Sequence, residues 1–320
     1  MPPVKPGSPG EQSGGEIAAL RAEVAALRSQ LQGLSDLLAA QHGTGMGLLR
    51  RIHRGSAIYL GDHTAVTFLT NGCRMFLDTR DRAVGLSLML GGVWEPTYTE
   101  AFTRLLRPGA TVVDVGANLG WYTLVSARAV GRRGRVFAVA PNPRMAQLLR
   151  DSVRANNFQG SVTVFQAALS DAPGVVDLLF RQESPGGGQI RPAELAAAAP
   201  GALPSVRVAS QPLDTLLAGH AGPVDVMKMD VEGWEGVALR GAAALLDRSP
   251  GLRLMGEWGP GQDQTPVPRA DMAAAMAARG YRPFRIGEDA ALVPESWEGA
   301  LAERQLVNLV LLPREDPLAR

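Results

Sequence analysis

The sequence predicts an α/β protein built on a doubly wound, mostly parallel sheet, with a separate helix ahead of it. Three observations predict this. From residue 100 onward, apolar runs of strand length alternate with helical stretches, the order that buries a parallel sheet between helices. The run Val112–Val115 passes directly into Gly116-Ala117-Asn118-Leu119-Gly120, a strand ending in a glycine-bearing turn. Residues 16–42 carry a heptad pattern that stands apart from this alternation.

The N-terminal part sorts by composition. Residues 1–15 are rich in Pro, Gly and Ser, hold little that could build a core, and are expected to be disordered. Ile17, Val24, Leu31 and Leu38 fall at heptad position a, and Leu20, Leu27 and Leu34 at d. Glu16 and Glu23 at g face Arg21 and Arg28 at e of a parallel partner. That match predicts a homo-oligomer through 16–42. Leu at two a positions leaves dimer and trimer both open. The alternative is an amphipathic helix packed on its own domain. Residues 43–97 read as a linker, with the basic cluster Arg50, Arg51, His53 and Arg54, followed by a hairpin over 64–78. Asn71-Gly72 supplies the hairpin's tight turn.

The main domain is expected over 98–320. Helices are predicted at 98–107, 120–130, 143–156, 233–246 and 268–279, and strands at 111–115, 135–139, 162–166, 175–181, 224–229 and 252–257. The Gly/Pro/Ala-rich stretch 183–204 reads as a mobile loop. Strands at 281–285 and 306–312 close the pattern, suited to an antiparallel edge hairpin.

Composition excludes several classes. The chain has 320 residues, 46% hydrophobic and 20% charged, with a net charge of +1. No global field draws it to nucleic acid. No apolar run reaches the length of about 18 residues that spans a bilayer. The single cysteine, Cys73, excludes an internal disulfide and a cysteine metal cage. With no basic-then-apolar leader pattern, the expected location is the cytoplasm.

The turn after Val115 carries the chemistry. Its spacing is D-x-G-x-N-x-G, from Asp114 through Gly116 and Asn118 to Gly120. Glycines there let the backbone approach a ligand closely. An acid two residues before the first glycine repels a pyrophosphate. It suits a ligand with positive charge, such as an ammonium or sulfonium.

Further segments add a resemblance. Asp114 to Gly120, Pro141-Asn142-Pro143, Ala168-Leu169-Ser170-Asp171 and the run Lys228 to Glu235 (KMDVEGWE) together resemble the FkbM-type methyltransferase family. The similarity covers about residues 56–313, with Gly92-Val93-Trp94-Glu95 as its opening motif. It implies a class I (Rossmann-like) methyltransferase fold with S-adenosylmethionine (SAM) as cofactor. It also implies O-methylation of a hydroxyl, commonly on a sugar or glycosylated natural product. On this reading the cofactor lies along Glu95, Asp114, Gly116, Asn118, Gly120, Ala140, Pro141, Asn142, Ala168 and Asp230. Trp94 and Glu95 read either as closing over its methionine part or as packing residues.

One position departs from the family pattern, which has an acid directly before the Pro-Asn-Pro segment to bind the ribose hydroxyls. This chain has Ala140. The missing charge-assisted bond should cost about 1.5–3 kcal/mol, roughly 10- to 150-fold in cofactor affinity. Three readings follow: an introduced, weakening substitution; partial replacement of the carboxylate by Asn142; or a domain that has lost catalysis.

Methyl transfer needs a positioned hydroxyl and a way to remove its proton. Asp230 follows strand 224–229, Glu232 comes two residues later, and Glu257 ends the next strand. All three are candidates for a carboxylate base. They are equally candidates to hold a divalent ion such as Mg²⁺ that acidifies the hydroxyl. Glu235 reads as a solvated first-turn residue and His220 as a surface histidine. Trp234 and Trp258 read as core or as a wall for a sugar ring. The acceptor is then a small molecule or glycan. The competing readings are a catalytically silent coiled-coil scaffold and an RNA methyltransferase, which the near-neutral charge disfavours.

Overall fold

A computed structural model describes residues 57–181, 184–191 and 205–319. The expected disordered stretch, the heptad helix over 16–42 and the basic cluster at 50–54 lie outside the described residues.

The chain first forms a three-stranded antiparallel sheet, β1 (Ile58–Gly61), β2 (Thr64–Phe68) and β3 (Arg74–Asp78). The predicted hairpin is β2–β3, with Thr64 opposite Asp78 and Phe68 opposite Arg74. Its turn is wider than a two-residue turn. Gly72 takes a φ of +83°, and the Asn71 side chain accepts a hydrogen bond from the Cys73 N–H. β1, unpredicted, is added on the open side of β2. Two helices follow, α1 (Val84–Gly91) and α2 (Pro96–Leu105). α1 was not anticipated inside the linker region.

The main domain continues as β4 (Thr111–Val115), α3 (Trp121–Val130), β5 (Arg135–Val139), α4 (Pro143–Ala155) and β6 (Val162–Phe165). After an excursion come β11 (Val226–Met229), α6 (Glu235–Arg240), α7 (Ala243–Arg248), β12 (Arg253–Trp258) and α8 (Arg269–Ala278). The chain then forms β13 (Tyr281–Ile286), β14 (Leu292–Pro294), α9 (Trp297–Ala302) and β15 (Val307–Pro313). The eight-stranded sheet runs β14-β13-β15-β12-β11-β4-β5-β6. From β12 to β6 the pairings are parallel. Strand order reverses between β11 and β4, and open α/β sheets bind ligands at such a switch point.

Two corrections concern this sheet. The last strand is not an edge. β15 inserts between β12 and β13, antiparallel to both, and β14 takes the edge. An apolar run such as Leu309–Leu312, buried throughout, needs cover on both sides. The single helix expected over 233–246 is two, broken at Gly241. A Cβ on Gly241 would sit 2.1 Å from the Ser170 carbonyl oxygen, so the break is where two backbones touch.

The excursion holds a second, four-stranded sheet: β7 (Ala168–Leu169), β10 (Ser205–Gln211), β8 (Gly174–Arg181) and β9 (Ser184–Arg191), in that order, with the one-turn helix α5 (Leu213–Leu216) after it. The stretch expected as a mobile loop therefore begins as strand β9, paired antiparallel to β8. Residues 192–204 lie outside the described residues.

The core follows from strand alternation. Val112, Val136, Val226 and Met255 point to one face, packed by α3 and α4. Their neighbours Val113, Met227 and Leu254 point to the other, under α6, α7 and α8. Met75 and Leu77 of β3 join the first face. An ion pair fixes that docking. Asp78, at the end of β3 and fully buried, accepts from Arg80 (2.7 Å) and from Arg144 of α4 (3.2 Å). Burial pushes its carboxyl up, but the two guanidiniums outweigh burial and hold it below the ordinary aspartate range. Among the described residues no helix is long and apolar enough to cross a membrane.

Stability from a lowered carboxylate is present above its unfolded pKa, about 3.9, and is lost as pH falls through the native value. Asp78→Asn should therefore lower stability at pH 7 by about 1–3 kcal/mol, with the difference shrinking below about pH 4. Urea unfolding of both proteins across that range checks it.

Candidate active site

The carboxyl ends of β4, β5, β11 and β12 open on one cavity, which also takes in Glu95 and the β8–β9 hairpin. Three kinds of surface line it: a glycine loop, a carboxylate cluster around one lysine, and an apolar wall.

The loop after β4 is held by contacts only its residues permit. Gly116 has a φ of +77°, and a Cβ there would lie 1.7 Å from the Asp230 carbonyl oxygen. The loops after β4 and β11 thus meet backbone to backbone. The Gly116 and Ala117 N–H groups both donate to the Val139 carbonyl, at 3.0 and 2.9 Å, stitching the loop to β5. Asn118 sits at a φ of 49°, and its buried Oδ1 has no hydrogen-bond partner among the described residues. Such an oxygen is costly to leave unpaired, so it marks a place for a donor from a ligand. Gly120 does not line the cavity. Its Cβ would strike Leu149 of α4 at 2.1 Å, so this glycine serves helix packing.

The charged part centres on Lys228, 1% exposed. It pairs with Asp114 of β4 in the parallel register. Its Nζ lies 3.5 Å from Asp230 Oδ2 and 5.2 Å from the centre of the Tyr122 ring. Burial opposes its charge, but Asp230, Glu257, Glu95 and Asp114 together outweigh burial and raise its pKa. Among the described residues it is the one cation lining the cavity. Its signal in the sequence is a lysine inside an apolar strand, V-M-K-M.

The acids around it differ in state. Asp114, expected to meet a cationic ligand, is buried and accepts from Thr123 Oγ1, and burial raises it to about 6. Glu95, at a φ of 43° ahead of α2, accepts from the Tyr122 hydroxyl at 2.8 Å and is raised mainly by burial. Glu257 is pushed up to about 9, first by burial and then by Asp230, so it is protonated at neutral pH. Glu232 stands at the exposed mouth with a φ of 55°. The protein packed behind it, then Asp230 and Glu235, push it up to about 7.

Glu235 is not the solvated residue expected. It is buried, accepts the N–H groups of Val231 (3.0 Å) and Gly233 (3.4 Å), and takes a bond from Gln262 (2.7 Å). It therefore shapes the 230–235 loop. The sugar-stacking wall is not formed by the two tryptophans. Trp258 is core, donating to the Ala300 carbonyl at 2.7 Å and packing against Trp297, and Trp234 packs on the same core. His220 lies away from the cavity, against Phe137. Asp230, Glu232 and Glu257 share the cavity. Yet among the described residues no three His, Cys, Asp or Glu side chains converge as a set able to hold a metal ion.

The apolar wall holds Ala140, Pro141 and Ala168, faced by Leu178, Gly187, Gly188 and Ile190 of β8 and β9. The sequence places β8, at 175–181, but not β9, whose glycines hide strand periodicity. Ala140 is fully buried, its N–H bonded to the Phe165 carbonyl. Asn142 lines the cavity, but its Oδ1 accepts from the N–H groups of Arg144 (2.9 Å) and Met145 (3.4 Å) as the N-cap of α4. That oxygen is committed to the helix.

Comparison with known proteins locates this site in a family. A profile of the methyltransferase FkbM domain matches residues 114–283, just over half of the chain. A protein-L-isoaspartate O-methyltransferase of Methanopyrus kandleri is 30% identical over 137 residues, 36% of this chain and 61% of that protein. An arginine N(omega)-methyltransferase of Streptomyces achromogenes is 34% identical over 88 residues, 26% of this chain and 24% of its own length. The chain thus spans under two thirds of these curated relatives. Among solved structures, an O-methyltransferase from Bacillus cereus in complex with SAH aligns with a TM-score of 0.41 at 16% identity, covering 69% of this chain and 82% of that one.

A carboxyl raised in the folded state stabilises below its unfolded pKa and loses that contribution as pH rises towards the folded value. Glu257→Gln should therefore raise the melting temperature. The gain should grow from pH 5 to pH 9, which thermal scans across that range measure.

Proposed function

This chain belongs to the methyltransferase FkbM family, and from that premise we propose that it is a SAM-dependent O-methyltransferase acting on a hydroxyl of a sugar or glycosylated metabolite. The observation that carries the reading is the meeting of the 114–120 loop with the Asp230–Glu232–Glu257 group in one cavity.

The residues present fit the cofactor unequally. Asn118 Oδ1 is a buried acceptor awaiting a donor, and Glu95, Asp114 and Asp230 supply negative potential for an ammonium and a sulfonium. These suit the methionine end. At the nucleoside end Ala140 offers only a methyl group, while Pro141, Ala168 and Leu178 make an apolar slot. SAM supplies an electrophilic methyl group. The chain's own residues then hold the acceptor and take its proton. Glu232, titrating near 7, is placed to accept that proton at neutral pH. Protonated Glu257 can donate a hydrogen bond that orients the acceptor oxygen, and Lys228 holds Asp230 in place between them.

Ala140 favours a second reading, a methyltransferase fold with impaired catalysis that serves as a scaffold. Transfer of labelled methyl from SAM to a panel of mono- and oligosaccharides decides between them; no transfer to any acceptor leaves the scaffold.

Two outcomes follow from the first reading. Ala140→Glu tightens SAM binding about 10- to 150-fold by calorimetry. The kcat/KM profile rises through about pH 7, and Glu232→Gln removes that limb and lowers kcat about 10²- to 10⁴-fold with little change in SAM affinity.

A further inference from the structure

The three-stranded sheet treats its two edges differently. On the β3 edge, side chains of α4 occupy the backbone. Asn156 Oδ1 accepts the Arg74 N–H at 2.9 Å, Asn156 Nδ2 donates to the Arg74 carbonyl at 2.6 Å, and Ser152 Oγ accepts the Phe76 N–H at 2.9 Å. That edge is closed to further strands.

Among the described residues, the β1 edge has no such cover. Among the described residues, nothing bonds the side of β1 that faces away from β2. Its side chains are apolar and open to both faces of the sheet: Ile58 is 53% exposed, Tyr59 62% and Leu60 53%. Proteins blunt an edge strand by keeping it short, by a bulge, or by a charge, a proline or a covering element. The strand Ile58-Tyr59-Leu60-Gly61 is four residues long with an irregular register between Tyr59 and Gly61, and has neither of the two side-chain devices, a charge or a proline. An open row of N–H and C=O groups flanked by apolar side chains is satisfied best by another strand.

We infer that β1 is an interface for β1 of a second copy of this chain, the two strands pairing antiparallel so that two three-stranded sheets join into one of six. A strand meeting its own copy this way forms a closed two-fold contact, with the same patch used on both sides. The second copy is the occupant because of what precedes the strand. Fifty-six residues lie ahead of the first described residue and end at β1. They include the heptad run over 16–42 whose g and e charges suit parallel pairing with an identical chain. Pairing through that run raises the local concentration of β1 for its counterpart, so even a four-residue ladder can form. The inference is independent of the methyltransferase reading.

The test is amide hydrogen exchange on the full chain, with particle mass measured by light scattering in the same samples. The expected result is an oligomer in which those amides of residues 58–60 that face away from β2 are protected on the order of tenfold or more relative to the Ile58→Lys/Leu60→Lys variant. Both positions are exposed within one copy, so that variant should still fold, which its far-UV circular dichroism checks. In Leu27→Lys/Leu31→Lys, which breaks the heptad seam, protection of 58–60 should fall on dilution together with the mass. Three results would overturn the inference. One is rapid exchange of 58–60 in the wild-type oligomer. Another is protection in a monomer, which would assign the cover to the chain's own preceding residues. The third is protection that does not change on dilution of the heptad variant.

Discussion

The ammonium of Lys228 is the constraint on which the rest of the site depends. It is sealed from solvent, and Asp114, Asp230, Glu257 and Glu95 all contribute to keeping it charged. An ion buried alone would be discharged or would unfold the strand that carries it, whereas one paired with several carboxylates becomes a fixed point. Those carboxylates come from β4, the loop after β11, β12 and the start of α2. Tyr122 of α3 closes the arrangement from below, bonding Glu95 and presenting its ring to the lysine. The shape of the charged half of the cavity is thus an electrostatic requirement as much as a packing one.

One cation among so many acids cannot satisfy them all, and this separates their roles. Glu257, pushed up by burial and by Asp230, keeps its proton, while Glu232 at the mouth titrates near neutrality. Environment alone sorts chemically similar groups into a hydrogen-bond donor and a proton acceptor. The opposite wall of the cavity has no charge to distribute. Ala140, Ala168 and the β8–β9 hairpin make it apolar. The cavity is polarised, strong at one end and weak at the other.

The scaffold spends its polar bonds away from this cavity. Arg144 and Asn142 stand at the same helix start, yet Arg144 ties β3 through Asp78 and Asn142 caps α4. Gly116 and Gly120 divide in the same way. The first lets two site loops touch, and the second lets two helices pack. Residues adjacent in sequence are therefore divided between holding the fold and lining the site, and motif spacing does not reveal which does which.

The amino-acid sequence by itself determined the alternation of strands and helices, the strand and loop over 111–120 and the carboxylates at strand ends. These are local properties: period, glycine placement and residue type at a strand terminus. Only the tertiary structure decided what depends on distant partners. It threaded β15 between β12 and β13, where both edges of a strand buried on both faces are hydrogen-bonded. It broke the helix at Gly241 where the Ser170 backbone comes close, and made a strand of Ser184–Arg191 because β8 offered an edge. It buried Glu235 as a loop brace and gathered four acids around Lys228, since burial and charge are set by what packs alongside, which no run of neighbouring residues encodes.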